Sequence, residues 1–230
     1  MTIEKIYAKL EELLEEEKVQ EAENFLCEQL EDAKEKEEYG IYISAANELM
    51  GLYRNVAKYQ EAFNIAEDVA LLMEELHLEG TEYFGTTLLN TALIYNQAGA
   101  FSASLEYYRR ALKIYEDVLP KEDERFMGIY HNIAGVYENL GETENALMYR
   151  EKMAAVAKNL KDAQVEYATA LSGMGESYYA MGDAKKALDV YKKALMVIEE
   201  NYGRNQSYEM VLGNINAITR MSEQAINTHS

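Results

Sequence analysis

Leu88-Leu89-Asn90-Thr91-Ala92-Leu93-Ile94-Tyr95 recurs twice downstream, as Tyr130-His131-Asn132-Ile133-Ala134-Gly135-Val136-Tyr137 and as Leu171-Ser172-Gly173-Met174-Gly175-Glu176-Ser177-Tyr178. Large, small and aromatic positions coincide in all three. Four residues after each closing tyrosine stands a glycine (Gly99, Gly141, Gly182), and five residues beyond each glycine stands a small residue (Ser104, Ala146, Ala187). Apolar residues at i, i+3, i+4 and i+7 give each segment one sticky helical face, and the glycine lets the chain reverse after it. The pattern therefore predicts helical hairpins, with small residues where two helices approach closely and the tyrosine filling the space beside them.

The frame extends in both directions. Upstream it falls on Leu49-Met50, Tyr53, Tyr59 and Ala62, and more weakly on Leu10, Leu13, Val19 and Ala22; downstream Leu212, Asn214 and Ile215 begin a copy with only its first helix. Positions 22, 62, 104, 146 and 187 are equivalent and are separated by 40, 42, 42 and 41 residues. A single hairpin cannot bury its apolar face, so the copies must stack on their neighbours. The expected organisation is one array over 1–230, with hairpins over about 1–40, 41–82, 83–124, 125–165 and 166–206 and a closing helix over about 207–226.

These residues resemble the tetratricopeptide pattern of Trp/Leu, Leu-Gly, Tyr, Ala, Phe/Tyr and Ala. The fullest copies are Leu88, Ala92, Tyr95, Gly99, Phe101, Tyr108 and Ala111, then Leu171, Met174, Gly175, Tyr178, Gly182, Ala187, Tyr191 and Ala194. The period exceeds the ordinary ~34 residues and is similar to the long repeats of kinesin light chains. Val118-Leu119-Pro120-Lys121-Glu122 and Asn201-Tyr202-Gly203-Arg204-Asn205 are expected to be the inter-repeat loops. Neither carries the Asp-His-Pro often found there in that family, so the resemblance extends to repeat geometry and not to kinesin-like function. It implies an all-α, right-handed superhelical solenoid of antiparallel helix hairpins that binds protein or peptide in a concave groove.

In such arrays the second, fifth, sixth, ninth, twelfth and thirteenth positions of each first helix line the groove. That frame marks Asn47, Arg54, Asn55, Asn90, Asn96, Gln97, His131, Asn132, Asn139, Glu176, Tyr179 and Asn214 as the peptide-binding surface. Asparagine is a poor helix former that can donate and accept at once. At the sixth position, where Asn90, Asn132 and Asn214 fall, it either clamps a peptide main chain, as the resemblance implies, or bridges to the neighbouring hairpin or to water. Relatives that grip a C-terminal carboxylate carry cations at the second, fifth and sixth positions; Ser44, Thr86, Gly128 and Thr169 hold the second positions here. Arg54 and Arg220 are the arginines expected in the groove, each paired with a nearby glutamate.

Composition narrows the partner. The chain has 230 residues, 48% hydrophobic and 27% charged, one proline, and a formal net charge of −19. Residues 1–40 alone hold 14 acidic and 5 basic side chains. Nucleic-acid affinity is built on Lys and Arg displacing counterions, so nucleic acid is excluded as a partner and the expected ligand is neutral or basic. A single cysteine, Cys27, permits no internal disulfide and points to a reducing compartment. Met1-Thr2-Ile3-Glu4-Lys5 lacks an apolar signal core, and no stretch approaches the ~18 apolar residues of a membrane span, so a cytoplasmic protein is expected.

Catalytic chemistry finds no foothold. His77, His131 and His229 are far apart in the repeat frame and lack metal-ligand spacing, and Gly173-Met174-Gly175-Glu176-Ser177 lies inside a helix as a packing motif and not at a nucleophile elbow. The carboxylates are scattered over exposed helix faces. Neither a cofactor nor enzymatic activity is expected. The 19 tyrosines and 11 methionines are assigned mostly to the core, and Cys27 is read as a small buried hydrophobe. The function expected is a monomeric, non-enzymatic scaffold or adaptor. Its rivals are a self-associating module, dimerising at a C-terminal end left apolar by Ile215 and Ile218, and a free-standing peptide-sensing regulator.

Overall fold

The computed structural model describes residues 1–228, and every regular element among them is an α-helix. His229 lies outside the described residues. The chain forms two compact units, Met1–Val118 and Leu119–Ser230. The first holds α1 (Ile3–Glu15), α2 (Val19–Glu35), α3 (Tyr39–Asn55), α4 (Tyr59–Glu75), α5 (Glu82–Gln97) and α6 (Phe101–Val118). The second holds α7 (Arg125–Asn139), α8 (Thr143–Ala157), α9 (Gln164–Ala180), α10 (Ala184–Tyr202) and α11 (Gln206–Thr228). Within each unit every helix packs against the next in sequence, and in the first unit the alternate helices α1, α3 and α5 also touch.

Most of the turns share one closure. After α5 the Ala100 N–H donates to Tyr95 O at 2.8 Å and the Gly99 N–H to Asn96 O at 3.0 Å; after α7 the Glu142 N–H donates to Tyr137 O at 2.9 Å. This crossed pair satisfies the orphan carbonyls of the last helical turn and requires a left-handed residue between them. The tyrosine and the glycine four residues later are thus two ends of a single turn. The four turns before α5 make the same closure without glycine: Lys58 N–H reaches Tyr53 O at 2.8 Å with Ala57 at φ 59°, and Glu17, Glu37 and His77 adopt φ of 57°, 55° and 56°.

The equivalent small positions Ala22, Ala62, Ser104, Ala146 and Ala187 are all 0% exposed. Ser104 spends its hydroxyl on Ala92 O at 2.8 Å, so a polar residue is tolerated at this packing point. Gly175, expected to let helix backbones meet, instead admits a ring: a Cβ there would lie 2.7 Å from Tyr191 Cε1. Burying each large aliphatic core side chain, such as Leu26, Ile94 or Ile133, contributes roughly 1.5–3 kcal/mol.

Several placements differ from the sequence reading. Asn201 and Tyr202 belong to α10, which ends only at Gly203; Asn205 then caps α11, its Oδ1 accepting from the Tyr208 N–H at 3.0 Å. Six of the eleven methionines are exposed, among them Met196 on α10 and Met210 and Met221 on α11, positions that the unbranched thioether tolerates. Cys27 is only half-buried. Ile218 is buried and Ile215 packs against the core of the second unit, so neither leaves the C-terminal end apolar.

Candidate functional site

In the first unit the groove-frame residues mostly engage one another. The Asn90 amide on α5 donates to Asn47 Oδ1 on α3 at 2.7 Å, while Asn47 Nδ2 donates to Thr87 Oγ1 at 3.1 Å and to Ile43 O at 3.0 Å. The pair joins neighbouring first helices through side chains. Arg54 donates to Asn55 Oδ1 at 3.2 Å, and not to the glutamate expected for it, because its helix neighbour is nearer. Asn96 stands beside the buried Tyr108 hydroxyl, and Gln97 is exposed at the end of α5.

The second unit holds a cleft of about 310 Å³ that brings together His131 of α7, Arg150 of α8, Glu176 of α9 and Asn214 of α11. Three of these four lie on the expected surface. Asn132, Asn139 and Tyr179 do not line it; the Tyr179 hydroxyl points instead to Met221 Sδ, 3.1 Å away. Thr169 and Ser172 add hydroxyls, and Val165, Ile198, Met210 and Val211 make the apolar lining.

Arg150 organises the cleft. It comes from a second helix, the kind the repeat frame assigns to the outside, yet its side chain is only 8% exposed. Nη2 donates to both oxygens of Glu138, at 2.9 and 3.0 Å, Nε donates to Glu138 Oε1 at 3.1 Å, and Nη1 lies 2.9 Å from His131 Nδ1. Arginine has no acceptor, so His131 must offer a lone pair at Nδ1. The guanidinium enters because α9 has no side chain at position 173: a Cβ on Gly173 would lie 2.7 Å from Nε. The sequence does carry a signal for it. Three first helices have asparagine at the sixth position, where α9 has glycine, and a missing side chain invites one from elsewhere.

Electrostatics divides the carboxylates. Burial, then the Arg150 cation, holds His131 below the ordinary histidine range. Burial, then the Glu138 charge, pushes Glu176 above the ordinary carboxylate range. Tyr191 is pushed up to about 12 by burial and by Glu176. Glu138 is matched by Arg150; Glu176 has no hydrogen bond or salt bridge of its own among the described residues. No group of three or more His, Cys, Asp or Glu among the described residues could hold a metal ion, and none of the described helices is long and apolar enough to cross a membrane. The arrangement is suited to recognition: a matched ion pair, one unmatched carboxylate, amide and hydroxyl groups, and apolar walls.

Comparison with known proteins is consistent with this architecture. The tetratricopeptide repeat pattern matches residues 126–200 and 85–123. The protein KINESIN LIGHT CHAIN-RELATED 1 of Arabidopsis thaliana is 22% identical over 180 residues, which cover 78% of this chain and 29% of that protein. KINESIN LIGHT CHAIN-RELATED 2 of the same plant is 24% identical over 144 residues, 62% of this chain and 22% of that one. The chain thus spans less than a third of the length of these curated relatives. Among solved structures, BtubC (BKLC) from P. vanneervenii superposes with a TM-score of 0.80 at 22% identity, covering 88% of this chain and 83% of that one. A signal transduction ATPase with numerous domains and a tetratricopeptide repeat sensor, from Pyrococcus horikoshii, superposes at 0.76 and 19% identity over 96% of this chain and 33% of that one. At such identities the likeness to the solved structures is one of fold: an all-α solenoid of antiparallel helical hairpins.

Proposed function

Because the chain is a tetratricopeptide repeat protein with repeats of the kinesin light chain kind, we propose that it is a non-enzymatic scaffold or adaptor holding a segment of a protein partner against its first helices. The cleft of the second unit is the observation that carries this reading. It gathers polar groups from α7, α9 and α11 beside apolar walls, the composition of a surface built to bind rather than to pack. Asn132 makes no hydrogen bond to any described residue, which leaves its amide free for a peptide main chain. The formal charge of −19 favours a neutral or basic segment, and the lone Cys27 accords with a cytoplasmic setting.

Selection of a random peptide library on the full chain tests the proposal. Enriched peptides should bind the native chain and bind at least tenfold more weakly, about 1.4 kcal/mol, to an Asn132→Ala/Asn214→Ala variant. Failure to enrich any peptide, or binding indifferent to both asparagines, would sink it.

Self-association through α11 is the second reading, favoured by the exposure of Met210 and Met221 on that helix. Sedimentation across a tenfold concentration range separates the two: a mass that stays at 26.2 kDa removes the self-associating module.

A further inference from the structure

We propose that the cleft of the second unit seats one lysine or arginine side chain of the bound segment, with Glu176 as its counter-charge. The inference rests on the peptide-binding reading above and adds the chemistry of the residue bound. His131, Arg150 and Glu176 line it, and Glu138 pairs with Arg150. Arg150 and Glu138 neutralise each other through hydrogen bonds of 2.9–3.1 Å, and His131, presenting a lone pair to Arg150, is uncharged. Glu176 is left over, so the cleft carries one unmatched negative charge.

The walls fit the rest of such a side chain. Ile198, Met210 and Val211 offer apolar surface to an aliphatic stem, and Asn214 and Ser172 offer oxygen acceptors beside the carboxylate. Lysine and arginine bury their stems along apolar surface while the cation keeps polar company. A volume of about 310 Å³ sits at the low end of small-ligand pockets, roughly 300–1,000 Å³, which is room for one long side chain. Selectivity works by exclusion as well as attraction. An acidic side chain would have to displace Glu138 from Arg150 while facing Glu176, and an apolar side chain would strip water from Glu176 without replacing it.

The test is a titration of the isotopically labelled full chain, followed by amide NMR, with single amino acids blocked as acetyl and methylamide derivatives. Lysine and arginine derivatives should shift the amides of Gly173, Glu176 and Asn214, with affinity at least fivefold above that of the norleucine derivative. Glu176→Gln, isosteric and checked for a native-like spectrum, should abolish the difference, and Glu166→Gln, on the same helix outside the cleft, should leave it intact. The proposal is overturned if no derivative shifts these amides, if norleucine or glutamate derivatives match lysine, or if Glu176→Gln binds lysine unchanged. Library peptides that bind the native chain without a required basic residue would overturn it too, while leaving the scaffold reading in place.

Discussion

The guanidinium of Arg150 on α8 occupies the space that a side chain at position 173 of α9 would fill, with Nε 2.7 Å and Cδ 2.9 Å from where a Gly173 Cβ would stand. Arg150 cannot step aside cheaply, because Glu138 and His131 pin its far end. Gly173→Ala gains the ~1 kcal/mol that alanine holds over glycine in a helix and loses more to the forced displacement, which typically costs 1–3 kcal/mol. Net destabilisation of about 1 kcal/mol is expected in urea denaturation; a more stable variant would show that Arg150 is freer than its bonds indicate.

The Arg150–Glu138 pair is asymmetric, 8% against 37% exposed, so its two halves should respond differently to removal. Arg150→Met leaves a glutamate that can turn to water and should cost only about 1–2 kcal/mol. Glu138→Gln leaves a buried cation facing a neutral amide and should cost about 2–4 kcal/mol, since an uncompensated buried charge is the expensive product. Equal losses in chemical denaturation would contradict this ordering.

His131 should titrate below the ordinary histidine value, and its ring proton resonance in NMR would read it. Burial is the larger cause and Arg150 the second, so Arg150→Met should raise the value part of the way back. In the unfolded chain the ring takes a proton near pH 6.5, before the folded ring does. This contribution to stability is therefore complete above that pH and is lost as pH falls through the folded value. A value at or above the ordinary one would refute the assigned environment.

Ala57 closes its turn with the same Lys58-to-Tyr53 bond that Glu142 makes to Tyr137 around Gly141, yet does so with φ at 59°. A left-handed alanine is strained by its Cβ where glycine is not. Ala57→Gly should stabilise the chain by about 0.5–1 kcal/mol and Gly141→Ala should destabilise it by about 1 kcal/mol, both visible as opposite shifts in Tm.

Asn90 and Asn132 share a place in the repeat frame but not an environment. Asn90→Ala removes the donor to Asn47 Oδ1 and should cost about 1 kcal/mol of stability, whereas Asn132→Ala should change it by less than about 0.5 kcal/mol. Thermal unfolding of the two variants checks the contrast, and a large loss on Asn132→Ala would reveal a structural role.

The repeat was legible because its determinants are local. Helical period, a small residue at each crossing and a left-handed residue at the turn inside each hairpin are local, and the full burial of Ala22, Ala62, Ser104, Ala146 and Ala187 follows from them. Ala57, Glu17, Glu37 and His77 show the limit of that signal: the turn forms without its glycine when packing on either side holds it. The groove frame put His131, Glu176 and Asn214 on one expected face, and the structure places these three in the cleft of the second unit.

Sequence by itself therefore determined the all-helical class, the long repeat and the turns closed around Gly99, Gly141 and Gly182. Tertiary structure alone decided that Arg150 crosses from a second helix into the cleft, that Glu138 neutralises it, and that the Asn90 amide donates to Asn47. The physical reason is reach. A helix face is fixed by a period of 3.6 residues, but where a long or polar side chain ends depends on what the neighbouring helix leaves open, as Gly173 leaves room for Arg150.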